Sequence, residues 1–405
     1  MRWQTNELSE VCRIGDGAHA SLKRIKSGIP YLTAKNITKS GVDYSNIDYI
    51  SEETYNKHFK KKSNALTQPE KDDILYSIIG SIGGVYVVQD EKIGISSSVA
   101  IFRANSDVVI PQYLAYFLKS AFFDAQVQAI KGGVAQGFMS LGKLGSVKIS
   151  YPEDIKYQEK IVKILSAYDD LIENNKKQIK LLEEAAQRLY KEWFVDLRFL
   201  GYEDVEIIDA VPEGWKYRLV SEFGEVITGK TPSTSKSEYY GGEIPFVTIP
   251  DMHEKVFPLT TEKKLTRVGA DTQKNKYLPA NTVIVSCIAT VGLVNITVEP
   301  CQTNQQINSV ILSNEGDLYY FYETMKRIKA LLDGVGSNGA TMINVNKTKF
   351  GNIKVLYPTV DLLNKYNKFS KTIFEKILAL SKEIIMAEQA RDCLLPKLMN
   401  GEIEV

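Results

Sequence analysis

Ile29-Pro30-Tyr31-Leu32-Thr33 returns later in the chain as Ile244-Pro245-Phe246-Val247-Thr248. The echo extends in both directions. Before it, Trp3 recurs as Trp215 and Gly17 as Gly229. After it, Asp73-Ile74-Leu75-Tyr76-Ser77 with Gly80-Ser81-Ile82-Gly83 returns as Thr282-Val283-Ile284-Val285-Ser286 with Ala289-Thr290-Val291-Gly292. Lys143-Leu144-Gly145 ahead of Tyr151-Pro152 returns as Lys349-Phe350-Gly351 ahead of Tyr357-Pro358. The offset drifts only between 206 residues (Lys143 to Lys349) and 215 (Ile29 to Ile244), as small loop insertions and deletions produce. Matched blocks in one order along the whole length make the chain a tandem pair.

Each copy has two parts. The first, about 150 residues, mixes short β-type runs such as Val85-Tyr86-Val87-Val88 and Ser309-Val310-Ile311-Leu312 with Gly, Asn and Pro punctuation. The second is helical. Ile161, Leu165, Tyr168, Ile172, Asn175, Ile179, Leu182, Ala186, Leu189 and Trp193 are spaced alternately four and three apart, an a/d seam. No Pro or Gly interrupts 154–200, so a rod of roughly 60 Å is expected. Ile373, Ile377, Leu380, Ile384, Ala387, Arg391, Leu394 and Leu398 repeat the spacing, and Pro396 predicts a kink or an end close behind. A single heptad stripe cannot bury itself, so the two helices are expected to pair as an intramolecular antiparallel coiled coil, with Ile161, Leu165, Ile172, Ile179, Leu182, Ile373, Ile377, Leu380 and Ile384 as its pairing residues. Asn175 in the seam would fix register.

Composition sets limits. The chain has 405 residues, 50 Lys plus Arg against 49 Asp plus Glu, and 44% hydrophobic content, which excludes wholesale disorder. Four cysteines and three histidines are scattered, so neither a disulfide scaffold nor a clustered metal site is expected. A net charge of +1 leaves room for a local basic face balanced elsewhere. The N-terminal residues lack an apolar signal region, and the uncharged stretch 277–298 reads as β-branched strands rather than a spanning helix, so a cytoplasmic protein with no membrane association is expected.

Three motif tests fail. Gly224-Glu225-Val226-Ile227-Thr228-Gly229-Lys230-Thr231 satisfies the phosphate-loop pattern, but Pro232-Ser233-Thr234-Ser235-Lys236-Ser237 follows it where a helix is required. Gly334-Val335-Gly336-Ser337-Asn338-Gly339 follows a helical pattern instead of a strand. No base-methylation motif of the Asn-Pro-Pro-Tyr type occurs. The chain is therefore expected to be non-catalytic, with no cofactor and no metal.

What remains points to nucleic acid. Lys57, Lys60, Lys61 and Lys62 form the densest basic run, with Tyr55, His58 and Phe59 interleaved. Lys263 and Lys264, then Arg267, Lys274 and Lys276, occupy the comparable interval of the second copy. Such runs suit phosphates, although each also fits a solvated surface. Candidates for reaching base edges are Lys35 and Asn36, matched by Pro250 and Asp251, together with Ser81, Thr290, Asn304, Gln305 and Gln306. Gln136, Lys143 and Lys349 lie near the ends of the globular parts. Each of these fits turn chemistry as well.

The order Trp, Ile-Pro-aromatic strand, Gly-containing hairpin and long helix, given twice, resembles the specificity subunit of type I restriction-modification systems. Val211-Pro212-Glu213-Gly214-Trp215, Leu189-Tyr190-Lys191-Glu192-Trp193-Phe194-Val195-Asp196 and Leu394-Leu395-Pro396-Lys397-Leu398-Met399-Asn400-Gly401-Glu402-Ile403 strengthen the likeness. The resemblance implies an α+β chain. It would hold two mixed α/β target-recognition domains (1–152 and 201–358) and two long spacer helices (153–200 and 359–405) in a pseudo-twofold tandem repeat. Each domain would read half of a bipartite site in double-stranded DNA. The helices would set the gap and dock modification (methyltransferase) subunits, with a restriction (motor-nuclease) subunit joining for cleavage. The alternatives are a coiled-coil protein adaptor that ignores DNA and an ATP-hydrolysing enzyme built on Lys230.

Overall fold

The computed structural model of the chain describes residues 2–38, 41–60, 65–80, 82–131, 139–327 and 345–405. The chain divides into two compact units, Met1–Leu171 with Ala387–Val405, and Ile172–Met386.

In the first unit, an antiparallel four-stranded sheet runs in the order Cys12–Asp16, Val99–Ala104, Ile74–Ser77, Val85–Val87. The period-two alternation of a strand explains its apolar run. Ile74, Tyr76, Ala100 and Phe102 enter one hydrophobic cluster, while Leu75, Val99 and Ile101 enter another on the opposite face. A second sheet sets Ile29–Leu32 between Asp48–Ile50, antiparallel, and Gly94–Ile95, parallel. Trp3–Glu7 pairs with Lys148–Pro152, Trp3 facing Pro152.

The second unit repeats this plan. Its four-stranded sheet is Gly224–Thr228, Ile307–Leu312, Val283–Ser286, Val294–Ile296. Tyr240–Val247 lies between antiparallel Lys263–Leu265 and parallel Gln302–Thr303. Lys216–Leu219 pairs with Lys354–Tyr357. Order and sense of every counterpart pair agree, so the repeated sequence blocks are repeated structure.

The recurring glycine has a steric cause. A Cβ on Gly17 would stand 2.0 Å from the Ile95 carbonyl oxygen, and one on Gly229 would stand 2.2 Å from that of Asn304. Both glycines are pressed onto the end of the parallel strand of their own unit, where no side chain fits.

The two long helices span Ile155–Phe194 and Val360–Met399, each of 40 residues. Pro396 lies in the last turn and the helix ends at Met399. The boundary between the units falls within both helices. In the first unit, Ile161 and Leu165 are buried in one cluster with Leu395, Leu398 and Met399, and Arg391 Nη1 meets Asp169 Oδ1 at 2.6 Å. That ion pair accounts for a charged residue at a seam position. In the second unit, Ile172 and Asn175 are buried, Asn175 Nδ2 donates to Glu383 Oε2 at 2.8 Å, and the Trp193 ring lies 5.8 Å from that of Tyr366. Ile377 is buried in one cluster with Trp193 and Tyr366, against which Ile179, Leu182 and Ile373 pack; Leu380 is buried and Ile384 half-buried. Leu189, at the end of the expected seam, is half-buried and packs against the same cluster as Ile179 and Leu182, and its neighbour Tyr190 is buried beside it. The helix Leu318–Arg327 is responsible, because Tyr190 Oη lies 2.9 Å from Thr324 Oγ1 and its ring 5.7 Å from that of Tyr320.

Among the described residues no helix is long and apolar enough to cross a membrane, and the uncharged stretch 277–298 holds two strands.

Candidate nucleic-acid interface

Turn chemistry in both units starts from one side chain. In the first unit, Asn36 Oδ1 accepts from the backbone N–H and the hydroxyl of Thr33, both at 3.0 Å. Its Nδ2 donates to the carbonyls of Asp43 and Asn46 at 3.2 and 3.3 Å. In the second, Asp251 Oδ2 accepts from the N–H and hydroxyl of Thr248, both at 2.8 Å, while Oδ1 accepts from the Glu262 N–H at 2.8 Å. Both side chains are buried. Asn36 and Asp251, expected at base edges, are braces of the loop behind the central strand, with their polar atoms spent internally. Lys35 beside Asn36 is exposed, whereas Pro250 lies in the first turn of the short helix Ile249–Met252.

The basic run of the first unit rides on the helix Glu52–His58. Ser51 Oγ caps it from Thr54 N at 3.1 Å, with acids in its first turn and Lys57 and His58 in its last, as the helix dipole favours. Lys57 and Lys60 are exposed. The interleaved Tyr55 and Phe59 are buried and stacked at 5.0 Å, so they belong to the core and not to a base-stacking platform. Lys61 and Lys62 lie outside the described residues, as do Ser81, Gln136 and the glycine-rich 334–339.

Lys263 and Lys264 are exposed on the strand Lys263–Leu265, whose counterpart in the first unit is Asp48–Ile50. The two basic runs therefore share a region of the fold without sharing positions. The helix Arg267–Asp271 follows, capped by Thr266 Oγ1 from Gly269 N at 3.1 Å, as Ser51 caps its equivalent.

Lys143 and Lys349 sit on matching short helices, Leu141–Gly145 and Lys347–Gly351, capped by Ser140 and Asn346. Lys143 is exposed and Lys349 half-buried. Thr290 is half-buried in the tip of the hairpin between Val283–Ser286 and Val294–Ile296, where Ala289 takes φ +65° and Gly292 +88°. Ser286 Oγ accepts from Leu293 N at 2.8 Å across this tip, as Ser77 Oγ does from Gly84 N at 2.9 Å.

In the amide-rich stretch the three residues separate. Asn304 is buried and bonded through both side-chain ends to Gln306, so it shapes the loop. Gln305 is exposed and accepts from Thr231 Oγ1 at 2.6 Å. Two further amides, Gln273 and Gln302, form a buried pair at 2.7 Å. Gln302 directly precedes the amide-rich stretch, whereas Gln273 lies well apart from it and carried no signal.

The three buried thiols are not poised for chemistry. Burial pushes Cys12 and Cys301 up to about 12 and Cys287 up to about 11, which keeps each protonated. Among the described residues no three His, Cys, Asp or Glu side chains are grouped to hold a metal ion.

The family model described as the type I restriction modification DNA specificity domain matches residues 1–184 and, a second time, 212–388. The chain belongs to this family. It is 32% identical over 402 residues to the type I restriction enzyme HindI specificity subunit of Haemophilus influenzae, covering 82% of this chain and 87% of that one. It is 26% identical over 425 residues to the MjaIX specificity subunit of Methanocaldococcus jannaschii, covering 100% and 94%. Its fold is similar to the crystal structure of a type I restriction-modification S subunit from M. genitalium, with a TM-score of 0.59 at 16% identity over 98% of this chain and 96% of that one.

Proposed function

We propose that the chain is the DNA-binding specificity subunit of a cytoplasmic type I restriction-modification complex. The observation that carries this reading is the same three-sheet plan built twice in a chain of this family. Residues 1–152 and 201–358 are target-recognition domains, each reading half of a bipartite site. Exposed Lys35, Lys57, Lys60, Lys143, Lys263, Lys264 and Gln305, with half-buried Thr290, Gln306 and Lys349, supply its contacts; Lys61, Lys62, Ser81 and Gln136 complete the set. Residues 153–200 and 359–405 are spacers.

The spacers form an antiparallel coiled coil in this reading. Its support is the direction of the pairing within each unit. Asn175 meets Glu383 and Trp193 meets Tyr366, so position rises on one helix as it falls on the other. Asp169 with Arg391 and Lys160 with the Val405 carbonyl follow the same sense. The coil fixes the gap between half-sites and docks two modification subunits, while a restriction subunit joins for cleavage. Methylation and ATP-driven cleavage belong to those partners.

Mapping methylated adenines in the host genome with and without this gene tests the proposal. Loss of a two-part motif with a fixed internal gap is expected. An unchanged methylation map would reject it, as would a purified complex lacking salt-dependent DNA binding, which instead favours a protein adaptor.

A further inference from the structure

The stretch 224–231 spells a nucleotide-binding pattern, yet the backbone groups that such a loop needs are already used. Gly229 N donates to the Ile307 carbonyl at 3.1 Å and Lys230 N to that of Thr303 at 3.0 Å. Gly229 is wedged against neighbouring backbone, and no α-helix starts behind the lysine, only the single turn Ser237–Tyr239. An amide cradle for a nucleotide is absent from this stretch.

What the loop does present is side chains. Lys230, Ser233, Thr234, Ser235 and Lys236 are exposed. The loop is also fastened. Gln273 Nε2 donates to the Lys230 carbonyl at 2.6 Å, Thr231 Oγ1 donates to Gln305 at 2.6 Å, and Tyr240 Oη donates to the Pro232 carbonyl at 2.7 Å. Exposed Lys274 directly follows Gln273, so the first of these bonds ties its stretch of chain to the loop. Among the described residues no carboxylate lies within 4.0 Å of the ammonium of either lysine. Two unneutralised cations, Lys230 on an anchored, hydroxyl-rich loop and Lys274 on the turn Lys274–Lys276 tied to it, suit the spaced phosphates of a nucleic-acid strand.

The first unit repeats the wedged glycine and its backbone bonds. Ala18 N donates to the Ile95 carbonyl at 2.9 Å just after wedged Gly17, and exposed Lys23 and Lys26 follow. Arg24 between them is committed to Asp48 at 3.0 Å.

We propose that the loop behind the wedged glycine is a phosphate-contacting element of the DNA interface, carried in the second unit by Lys230 and Lys274. This deepens the DNA-binding reading and rests on it.

The test measures binding of the full chain, assembled with its modification subunits, to a fluorescent duplex carrying the target site across a salt series. Losing two phosphate contacts in Lys230→Gln/Lys274→Gln is expected to flatten the slope of log K against log salt by about 1.8 and weaken binding at least about tenfold. Lys230→Arg/Lys274→Arg, which keeps both charges, is expected to bind as the parent does. An unchanged slope and affinity in the folded glutamine variant overturns the proposal. So does retention of labelled ATP by the parent that disappears on Lys230→Gln. If the parent complex itself binds DNA without salt dependence, the DNA-binding reading fails, a result distinct from failure of the loop alone. Should the double variant not fold, the single Lys274→Gln variant decides, with an expected slope change of about 0.9.

Discussion

Asn175 and Glu383 join the two long helices through one hydrogen bond of 2.8 Å, made by a buried amide to a half-buried carboxylate. Removing one partner strands the other. Glu383→Ala is expected to lower the unfolding free energy by about 1–3 kcal/mol, since a buried amide loses its acceptor. The double replacement Asn175→Leu/Glu383→Leu is expected to recover that loss while blurring the distance between methylated half-sites, because in the proposed coiled coil the polar pair would hold register. Denaturant unfolding and methylation mapping read the two effects separately.

Ile172 stands three residues before Asn175 and is buried. Ile172→Asp places an unpaired carboxylate there, at an expected cost of about 3 kcal/mol or more. The modified sites should then show a widened spread of gaps. Unchanged spacing and unchanged assembly would argue against a ruler role for the helices.

Gly17→Ala and Gly229→Ala insert a methyl group where backbone already stands within 2.2 Å. Each is expected to cost about 3 kcal/mol. The damage should be confined to the unit that carries it. Hydrogen exchange measured unit by unit checks this, and equal loosening of both units would contradict it.

Asp251→Asn exchanges a residue for the type found at Asn36, yet it is not expected to be silent. The Asp251 site offers an N–H from Glu262 where Asn36 meets carbonyls. One acceptor is lost, with about 1–2 kcal/mol of stability. The preferred DNA sequence should stay the same, since the side chain faces inward. A changed base preference at unchanged stability would return this residue to the reading surface.

Glu323 titrates within the core. It is 2% exposed, and its carboxyl is pushed from 4.5 up to about 7, first by burial and further by Glu183, against the pull of Lys326 and Arg327. Between these values the folded chain keeps a proton that the unfolded chain releases, so stability falls as pH rises through the window. Glu323→Gln is expected to match the parent below pH 4.5 and to exceed it by up to about 3 kcal/mol at pH 8. Urea unfolding at both pH values tests it.

The duplication was legible because steric and packing demands act on residue type. Gly17 and Gly229 recur where backbone meets backbone, and the buried runs 74–76 and 283–285 recur because both faces of the sheet are covered. The interface was less legible because a polar residue type does not reveal which way the side chain points. Asn36, Asp251 and Asn304 have the chemistry of base readers but face the interior, whereas Lys230 was set aside with a motif whose backbone amides are occupied. Tyr190 lies outside the seam spacing and is buried because the helix Leu318–Arg327 covers it, a tertiary effect invisible to heptad spacing.

The seam between the compact units has a practical meaning for exchanging recognition halves among relatives. A graft cut where the globular fold ends, near Pro152, would sever Ile161 and Leu165 from Leu144 and Val147, their partners in one apolar cluster. Cuts beside Leu171 and Ala387 transplant each core whole, together with its share of both rods. New addresses are best assembled by splicing through the middle of the helices.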